Sequence, residues 1–301
     1  MSVSGALQIY NNHGNPSDFS WTGGTLTFLN GVTINPSFYF GSSVSLGAGL
    51  TLGSGTTFVN NGSITLNGGS IAAVGALTNN STITGNGTIA AASGANNYQI
   101  IQSGGNLTIN ASTSAFINNY NLALASGYQL IFRGAGLSIQ GSMQLAGANV
   151  TGLGTLANAA GGTITGPGLI TAPFTNAGTV VVPSGQTNFP PFTNNGVIQL
   201  TSSSANLGGG QTITNSVMIH VYGTIGDPVT NGGTIEAIGG TLVLTGAVSN
   251  SSTGLITGGP GCEAFMQGRA NFPSNAGSIS LYGGICPYSA PAAPSGYVLS
   301  L

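Results

Sequence analysis

The sequence predicts an all-β protein, a single-stranded parallel β-solenoid (β-helix) with coils of about 19 residues and capped ends. Three observations predict this fold. A short motif returns at a nearly constant interval, small polar and apolar residues alternate within each repeat, and the composition contains almost no charge. Together they are typical of a chain whose coils stack, so that each strand pairs with its own copy in the next coil.

The repeated motif reads apolar, x, Asn, x, Gly, x, Ile or Val, x, apolar. The phrase Phe174-Thr-Asn-Ala-Gly-Thr-Val, for example, returns 18 residues later as Phe192-Thr-Asn-Asn-Gly-Val-Ile. Copies centre on six asparagines: Asn60, Asn79, Asn176, Asn194, Asn231 and Asn275.

The spacing of these copies is close to a constant period. The first interval is 19 residues; the gap of 97 residues between the second and third copies is close to five periods, and the gap of 37 between the fourth and fifth is close to two. Copies with insertions lie near Asn158 and Asn250. A period of this length indicates a solenoid or array.

Each repeat has the texture of short strands rather than of helix. In Ser63-Ile64-Thr65-Leu66, alternation places the two apolar residues on one side of a strand and the two polar residues on the other. Gly and Asn punctuate the chain as turns require, and each Gly would cost a helix about 1 kcal/mol relative to Ala. We therefore expect two or three short strands per coil, stacked about 4.8 Å apart.

The recurrent motif residues are predicted to be structural. An Asn at a corner tolerates a left-handed backbone conformation, as does the Gly that follows it. The Asn side-chain amide can also bond to the Asn of the next coil and form a ladder. The apolar residue two positions before the Asn is predicted to form an internal stack, whose members include Phe58, Leu77, Phe174 and Phe192.

Charge is nearly absent from the sequence. Only 2% of the 301 residues are charged, the net charge is −2, and there is no lysine. In a stacked array a charge would repeat at about 4.8 Å and repel its own copy, whereas Thr, Ser and Asn hydrogen-bond along the stack. Without a basic patch, binding to nucleic acid is not expected. Membrane insertion is not expected either, because the apolar stretches end well before the ~20 residues of a membrane span.

The ends of the chain differ from the repeats. Residues 1–22 are predicted to be an N-terminal cap, residues 23–257 the β-solenoid, and residues 258–301 a C-terminal cap or connecting segment, because open coil ends must be covered. The last segment contains both cysteines, Cys262 and Cys286. We expect them to form a disulfide worth about 3 kcal/mol; two free buried thiols are the alternative. Neither a CxxC motif nor a nearby His indicates a metal site.

No set of residues fits catalysis, so we expect neither enzymatic activity nor a cofactor. Sugar-cleaving enzymes need clustered carboxylates, whereas Asp227 and Glu236 are predicted on different faces and Glu263 lies in the terminal segment. His220 lies near Asp227 in sequence, but the GxSxG elbow of a serine hydrolase is missing. Phosphate-binding loops need a lysine, which the chain lacks.

Two kinds of binding surface are alternatives to a purely structural role. Thr-x-Thr pairs, as on ice-binding solenoids, are not predicted to form a continuous array, because the equivalent positions in other coils differ. These pairs are Thr25/Thr27, Thr82/Thr84, Thr163/Thr165 and Thr212/Thr214. Carbohydrate binding through exposed rings would use Tyr120, Tyr128 or Tyr222, for each of which buried packing is the competing role.

The Asn-x-Gly-x-Ile/Val repeat, from about Gly23 to Gly258, and the Gly-, Thr-, Ser- and Asn-rich composition resemble bacterial surface β-helix proteins. The nearest likeness is to filamentous-haemagglutinin-type repeats and autotransporter passenger regions, although such passengers usually carry more Asp and Lys. The resemblance is weaker between about Ala92 and Gly154.

This resemblance implies a secreted or cell-surface rod that is used as an adhesin or as a filament or matrix subunit. The partners it implies are further copies of the chain, associating end to end or laterally, or a surface glycan or other host target. A viral fibre of similar texture is an alternative.

Overall fold

The computed structural model describes residues 2–3, 23–35, 42–259, 261–266, 273–281 and 299–300. All regular secondary structure in these residues is β-strand, and the strands form a parallel β-solenoid of about 11 turns with coils of about 20 residues. The predicted fold class is therefore confirmed. The described part contains no helix that is long and apolar enough to cross a membrane. The chain divides into two compact units, Met1–Gln144 with Ala148–Thr155, and Leu145–Gly147 with Leu156–Leu301.

The first unit contains strands β1 to β17. In chain order they are β1 (Ser2–Val3), β2 (Gly24–Phe28), β3 (Val32–Ile34), β4 (Ser43–Gly47), β5 (Leu50–Ser54), β6 (Phe58–Asn60), β7 (Ser63–Ala73), β8 (Ala76–Asn79), β9 (Thr82–Ala91), β10 (Ser93–Asn96), β11 (Gln99–Ala111), β12 (Phe116–Asn118), β13 (Asn121–Ala123), β14 (Gln129–Gly134), β15 (Gly136–Ile139), β16 (Ser142–Gln144) and β17 (Asn149–Gly152).

The second unit contains the remaining strands, except for the first residue of β18. They are β18 (Thr155–Asn158), β19 (Thr163–Thr165), β20 (Gly168–Ile170), β21 (Phe174–Asn176), β22 (Thr179–Val182), β23 (Gly185–Asn188), β24 (Phe192–Asn194), β25 (Val197–Gly208), β26 (Ile213–Asn215), β27 (Met218–Ile225), β28 (Val229–Asn231), β29 (Thr234–Leu244), β30 (Val248–Asn250), β31 (Leu255–Gly258), β32 (Glu263–Met266), β33 (Ser274–Asn275), β34 (Ser278–Leu281) and β35 (Leu299–Ser300).

The coils of the first unit run along three faces, on each of which every strand pairs in parallel with the strand of the next coil. The first face consists of β3, β6, β8, β10, β12 and β15. The second consists of β4, the first halves of β7, β9 and β11, and then β13 and β16. The third consists of β2, β5, the second halves of the same three long strands, β14 and β17.

The second unit repeats this three-faced arrangement. Its first face consists of β18, β21, β24, β26, β28, β30 and β33. The second consists of β19, β22, the first halves of β25, β27 and β29, and then β31 and β34. The third consists of β20, β23, the second halves of the long strands and β32.

The strands bury the apolar residues of each repeat and leave the small polar residues more exposed. Ile64 and Leu66 are fully buried, whereas Ser63 and Thr65 of the same strand are half-buried. Ile83 of the next coil pairs in register with Ile64, so like side chains stack on one another. Each such burial contributes roughly 1.5–3 kcal/mol to stability.

The apolar stack of the first face adjusts to the size of its members. Phe58 pairs with Leu77, as the motif predicts, and both are buried. Two coils further on, Phe116 pairs with Gly94. A Cβ atom at Gly94 would overlap the ring of Phe116, so the missing side chain makes room for this large ring.

In the second unit two neighbouring members of the stack are aromatic, and they lie between Leu156 and Ile213. The ring centroids of Phe174 and Phe192 lie 4.9 Å apart in an edge-on arrangement. Phe189 completes a buried cluster, at 5.0 Å from Phe174 and 5.2 Å from Phe192. Aromatic contacts of this kind contribute about 0.5–1.5 kcal/mol beyond the burial itself. Phe189 was missed because it lies outside the repeated motif, next to a Pro-Pro pair.

The motif glycine has a different role from the predicted one. Gly178 and Gly196 are not among the described glycines with positive φ, and Ala146 is the one described non-glycine residue with positive φ. Instead, a Cβ atom at Gly196 would overlap the carbonyl oxygen of Gly178 in the preceding coil. The expectation of left-handed corners at these positions is therefore wrong, and at Gly178 and Gly196 the glycine leaves room for the close approach of the stacked corners.

Strand pairing continues into the segments predicted as caps. Within residues 1–22, β1 pairs with Thr27 and Phe28 of β2. Within residues 258–301, β32 pairs with β29, β34 pairs with β31, and β35 pairs with β34. Residues 4–22, 260, 267–272 and 282–298 of the two predicted end segments lie outside the described residues, so the caps stay a prediction.

Candidate functional site: amide ladders and the outward surface

The motif asparagines of the first unit are joined by a chain of buried side-chain hydrogen bonds, the first inner ladder. Nδ2 of Asn60 donates to Oδ1 of Asn79 at 2.7 Å, Asn79 donates to Asn96 at 2.7 Å, and Asn96 donates to Asn118 at 2.6 Å. All four residues are at most 1% exposed. The ladder ends at Asn118, because Ile139 occupies the next position in register.

Each inner amide also donates to the backbone of the next coil. Nδ2 of Asn79 bonds to the carbonyl oxygen of Gln99 at 3.1 Å, and Nδ2 of Asn96 bonds to that of Asn121 at 3.0 Å. One side chain thus links two points of the following corner. A buried amide group that loses its partner costs about 1–3 kcal/mol, so each Asn depends on its neighbours in the ladder.

The second unit contains a longer version, the second inner ladder. Its members are Asn158, Asn176, Asn194, Asn215, Asn231, Asn250 and Asn275, with Nδ2–Oδ1 distances between 2.7 and 2.9 Å. Each Nδ2 except that of Asn275, the last member, donates to the Asn of the following coil. The steps range from 16 to 25 residues. The feature that recurs is therefore the position in register, while the number of residues per coil varies.

The structure joins the six predicted asparagines in these ladders and adds members that sequence reasoning missed. Asn96, Asn118 and Asn215 escaped detection because a larger residue replaces the motif glycine. The replacing residues are Tyr98, Tyr120 and Val217, respectively. The signal for these three was the length of the gaps, 97 and 37 residues, which required intermediate coils.

An exposed ladder, the outer ladder, runs beside the inner one in the first unit. Nδ2 of Asn80 donates to Oδ1 of Asn61 at 2.9 Å, Asn97 donates to Asn80 at 2.8 Å, and Asn119 donates to Asn97 at 2.8 Å. Here each coil donates to the preceding one, which is opposite to the inner ladder. After these bonds, the two internal amides of the ladder each retain one N–H and one acceptor lone pair.

Two stacked tyrosines follow the last two members of the outer ladder. The ring centroids of Tyr98 and Tyr120 lie 5.5 Å apart and their planes differ by 3°. The residues are 46% and 56% exposed, respectively. Tyr120 was a predicted carbohydrate contact, and its exposure rules out buried packing as its role. Tyr98 was missed; its spacing of 22 residues from Tyr120, equal to the step from Asn96 to Asn118, was the available signal.

The other two predicted tyrosines are less exposed. Tyr128 is 37% exposed and lies in the turn before β14. Tyr222 is half-buried in β27, and its ring lies where a Cβ atom of Gly240 would be. Tyr222 therefore packs over Gly240.

The Thr-x-Thr pairs lie on three different faces and do not form one array. Thr25/Thr27 lies in β2 on the third face, Thr82/Thr84 and Thr163/Thr165 lie on second faces, and Thr214 of the fourth pair lies in β26 on a first face. On that first face, Thr193, Thr214 and Thr230 are in register and exposed. They form a single column with one threonine per coil.

The titratable residues considered for catalysis are separated. His220 and Glu236 are in register on the second face, with 3.5 Å between Nε2 and Oε2, and about a third of each side chain is exposed. Asp227 is fully buried at the corner before β28. His220 therefore pairs with Glu236 and not with Asp227.

Asp227 holds a corner of the preceding coil. Its Oδ1 accepts the backbone N–H groups of Gly210 at 2.7 Å and Gln211 at 3.3 Å, while Oδ2 has no hydrogen-bond partner within the described part of the chain. Burial raises the pKa of Asp227 above its usual value, and the two N–H groups lower it by a smaller amount. The geometry assigns this carboxyl group a structural role.

The predicted disulfide involves one described and one undescribed residue. Cys262 is 8% exposed and forms no disulfide bond with any residue that the structure describes. Cys286 lies outside the described residues. The pairing of the two cysteines therefore stays a prediction. Where side chains are described, no group of three or more His, Cys, Asp or Glu residues is placed to hold a metal ion.

No protein-family model, curated protein or solved structure matches the chain. The parallel β-solenoid fold is therefore established by the strand pairing described above. The likeness to filamentous-haemagglutinin-type repeats rests on the motif and the composition.

Proposed function

We propose that the protein is a non-enzymatic extracellular structural element, a β-solenoid rod that serves as a surface adhesin or as a filament or matrix subunit. The observation that carries the proposal is the presence of an inner ladder in each unit. Buried amides tie successive coils together in addition to the backbone pairing, as Asn176 ties to Asn194 at 2.7 Å.

Such a stack suits a spacing or load-bearing role. Separating two neighbouring coils requires the loss of the backbone bonds of three faces together with the Nδ2–Oδ1 bond of the ladder. In solenoids each repeat contacts mainly its neighbours, so the interfaces between repeats determine the stability of the array. The outward side chains, such as Thr193, Thr214 and Thr230, are held in register and present a regular uncharged surface.

The exterior location is supported by the resemblance to bacterial surface β-helix proteins. Composition adds to this support, because stability that rests on apolar stacking and neutral amides changes little with pH and salt. Such insensitivity is useful outside the cell, where both conditions vary.

Electron microscopy and sedimentation of the purified chain test the proposed shape and separate its two variants. We expect elongated particles in negative stain and a high frictional ratio. An adhesin stays as discrete particles, whereas a filament subunit joins end to end into longer fibres. Round particles with the frictional ratio of a compact protein would contradict the proposal.

Antibody labelling of intact cells of the source organism tests the location. We expect labelling before the cells are permeabilised. If labelling appears only after permeabilisation, the extracellular role is wrong, whatever the shape of the purified particles.

A further inference from the structure

We propose that the corner of the first unit that carries Tyr98, Tyr120 and the outer ladder binds a neutral polysaccharide. This proposal supplies a partner for the adhesive role and rests on the proposed function in that respect. It is carried by three observations: two exposed rings in a fixed stack, an ordered row of exposed amides, and small residues next to the rings.

A shelf of small residues adjoins the ring of Tyr98. Ser81, which is half-buried, and Gly62, which is buried, occupy the corner position of Tyr98 in the two preceding coils, because Asn96, Asn79 and Asn60 are in register. One edge of the shelf consists of the outer-ladder residues Asn61 and Asn80, and the other of Ser63 and Thr82, the first residues of β7 and β9. A ligand on this shelf would meet an aromatic ring at its end and polar groups along both sides.

Sugar rings match this arrangement chemically. A pyranose has a face of C–H groups, which packs on an aromatic ring, and a rim of hydroxyl groups, which both donate and accept hydrogen bonds. The amide of Asn80 donates to Asn61 and accepts from Asn97, and it retains one N–H and one lone pair for a ligand. Because the ladder already orders these amides, binding loses little side-chain entropy.

The surroundings favour a neutral sugar over other ligands. All residues of the shelf and its edges are uncharged, so an acidic ligand would find no counter-charge there. Proline-rich peptides dock into grooves between aromatic rings. The rings of Tyr98 and Tyr120 stack on each other with centroids 5.5 Å apart, which leaves no such groove between them.

The direct test is binding of the intact chain to four neutral polysaccharides. Insoluble cellulose and chitin are used in depletion assays, and a soluble β-glucan and a soluble galactan in calorimetry. We expect saturable binding to at least one of them. Tyr98→Ala and Tyr120→Ala should each weaken that binding by about tenfold, which corresponds to about 1.4 kcal/mol. Tyr128→Ala is the matched control, because it removes an exposed tyrosine elsewhere and should leave binding unchanged.

Ser81→Tyr fills the shelf while it keeps both native rings. We expect this variant to lose binding and to keep the melting temperature of the wild type, as measured by circular dichroism. The proposal is overturned if none of the four polysaccharides binds, or if Tyr98→Ala or Ser81→Tyr binds as the wild type does. Such a result would leave the structural role standing, because particle shape and assembly are measured without any polysaccharide.

Discussion

Replacement of Asn194 by leucine tests the second inner ladder near its centre. Nδ2 of Asn194 donates to Oδ1 of Asn215 at 2.9 Å and to the carbonyl oxygen of Met218 at 3.1 Å, while Oδ1 accepts from Asn176 at 2.7 Å. Leucine has the same number of side-chain heavy atoms and the same branching, so Asn194→Leu removes the polar groups. Its methyl groups are bulkier than the amide nitrogen and oxygen, which lie 2.9 and 2.7 Å from the neighbouring amides, so the loss of stability includes crowding as well as the lost hydrogen bonds.

The magnitude follows from the groups that lose a partner. Nδ2 of Asn176 and Oδ1 of Asn215 remain buried and lose their bonds to residue 194, at about 1–3 kcal/mol each. The apolar surface that leucine buries offsets roughly 1.5–3 kcal/mol of this loss. We therefore expect a net destabilisation of about 1–3 kcal/mol, and a fall in melting temperature of about 2–4 °C for each kcal/mol in a unit of this size.

Asn195→Leu is the matched control for this measurement. Asn195 is the next residue on the same corner, it is exposed, and its backbone N–H rather than its side chain bonds to the carbonyl oxygen of Asn176. Thermal and urea denaturation followed by circular dichroism should place Asn195→Leu within about 0.5 kcal/mol of the wild type. If Asn194→Leu melts as the wild type does, or if both variants lose the same stability, the ladder does not stabilise the coil.

Three further predictions address other parts of the chain. Mass spectrometry of the unreduced protein should find Cys262 linked to Cys286; two thiols that react with an alkylating agent in the folded protein would exclude the bond. Gly94→Ala should destabilise the fold because its Cβ would overlap the Phe116 ring, and adding Phe116→Leu should recover part of the loss in thermal melts. Burial raises the pKa of Asp227 above its ordinary 3.8, so its contribution to stability is complete below that value and is lost as pH rises through the folded pKa. The free energy of unfolding of the wild type, relative to that of Asp227→Asn, should therefore increase on acidification from about pH 7 to about pH 3. A difference that stays the same at both pH values would refute this sign.

The fold class could be predicted because stacking imposes the same demand on every coil. Buried Ile64 and the ladder residue Asn60 recur in register in the next coil as Ile83 and Asn79, and recurrence in register leaves a periodic trace in the sequence. Alternation inside each repeat then distinguishes strands from helices. Both signals are local or periodic, so a single sequence displays them.

Other features could not be predicted from the sequence because they depend on pairs of residues in different coils. Gly94 breaks the motif, and its reason is visible only when Phe116 is placed beside it. Phe189 joins the aromatic cluster from a corner of variable length, so it has no fixed place in the repeat. The partnership of Tyr98 with Tyr120 likewise requires the register between coils, since each stands at the position of the motif glycine without matching the motif.

The register also gives a physical reason for the absence of lysine and the abundance of Asn. A side chain that continues a column must accept a hydrogen bond from one coil and donate one to the other. An amide does both, whereas a carboxylate only accepts and an ammonium group only donates. The described charges on strands fit this rule: Arg133 is in register with Asn110, Glu236 with His220 and Glu263 with Thr241, so none of the three lies on a like charge. Asn can therefore extend a buried column through coil after coil without unpaired charge. A charged residue in the same column would end the hydrogen-bond chain and, if repeated, would repel its own copy one strand spacing away.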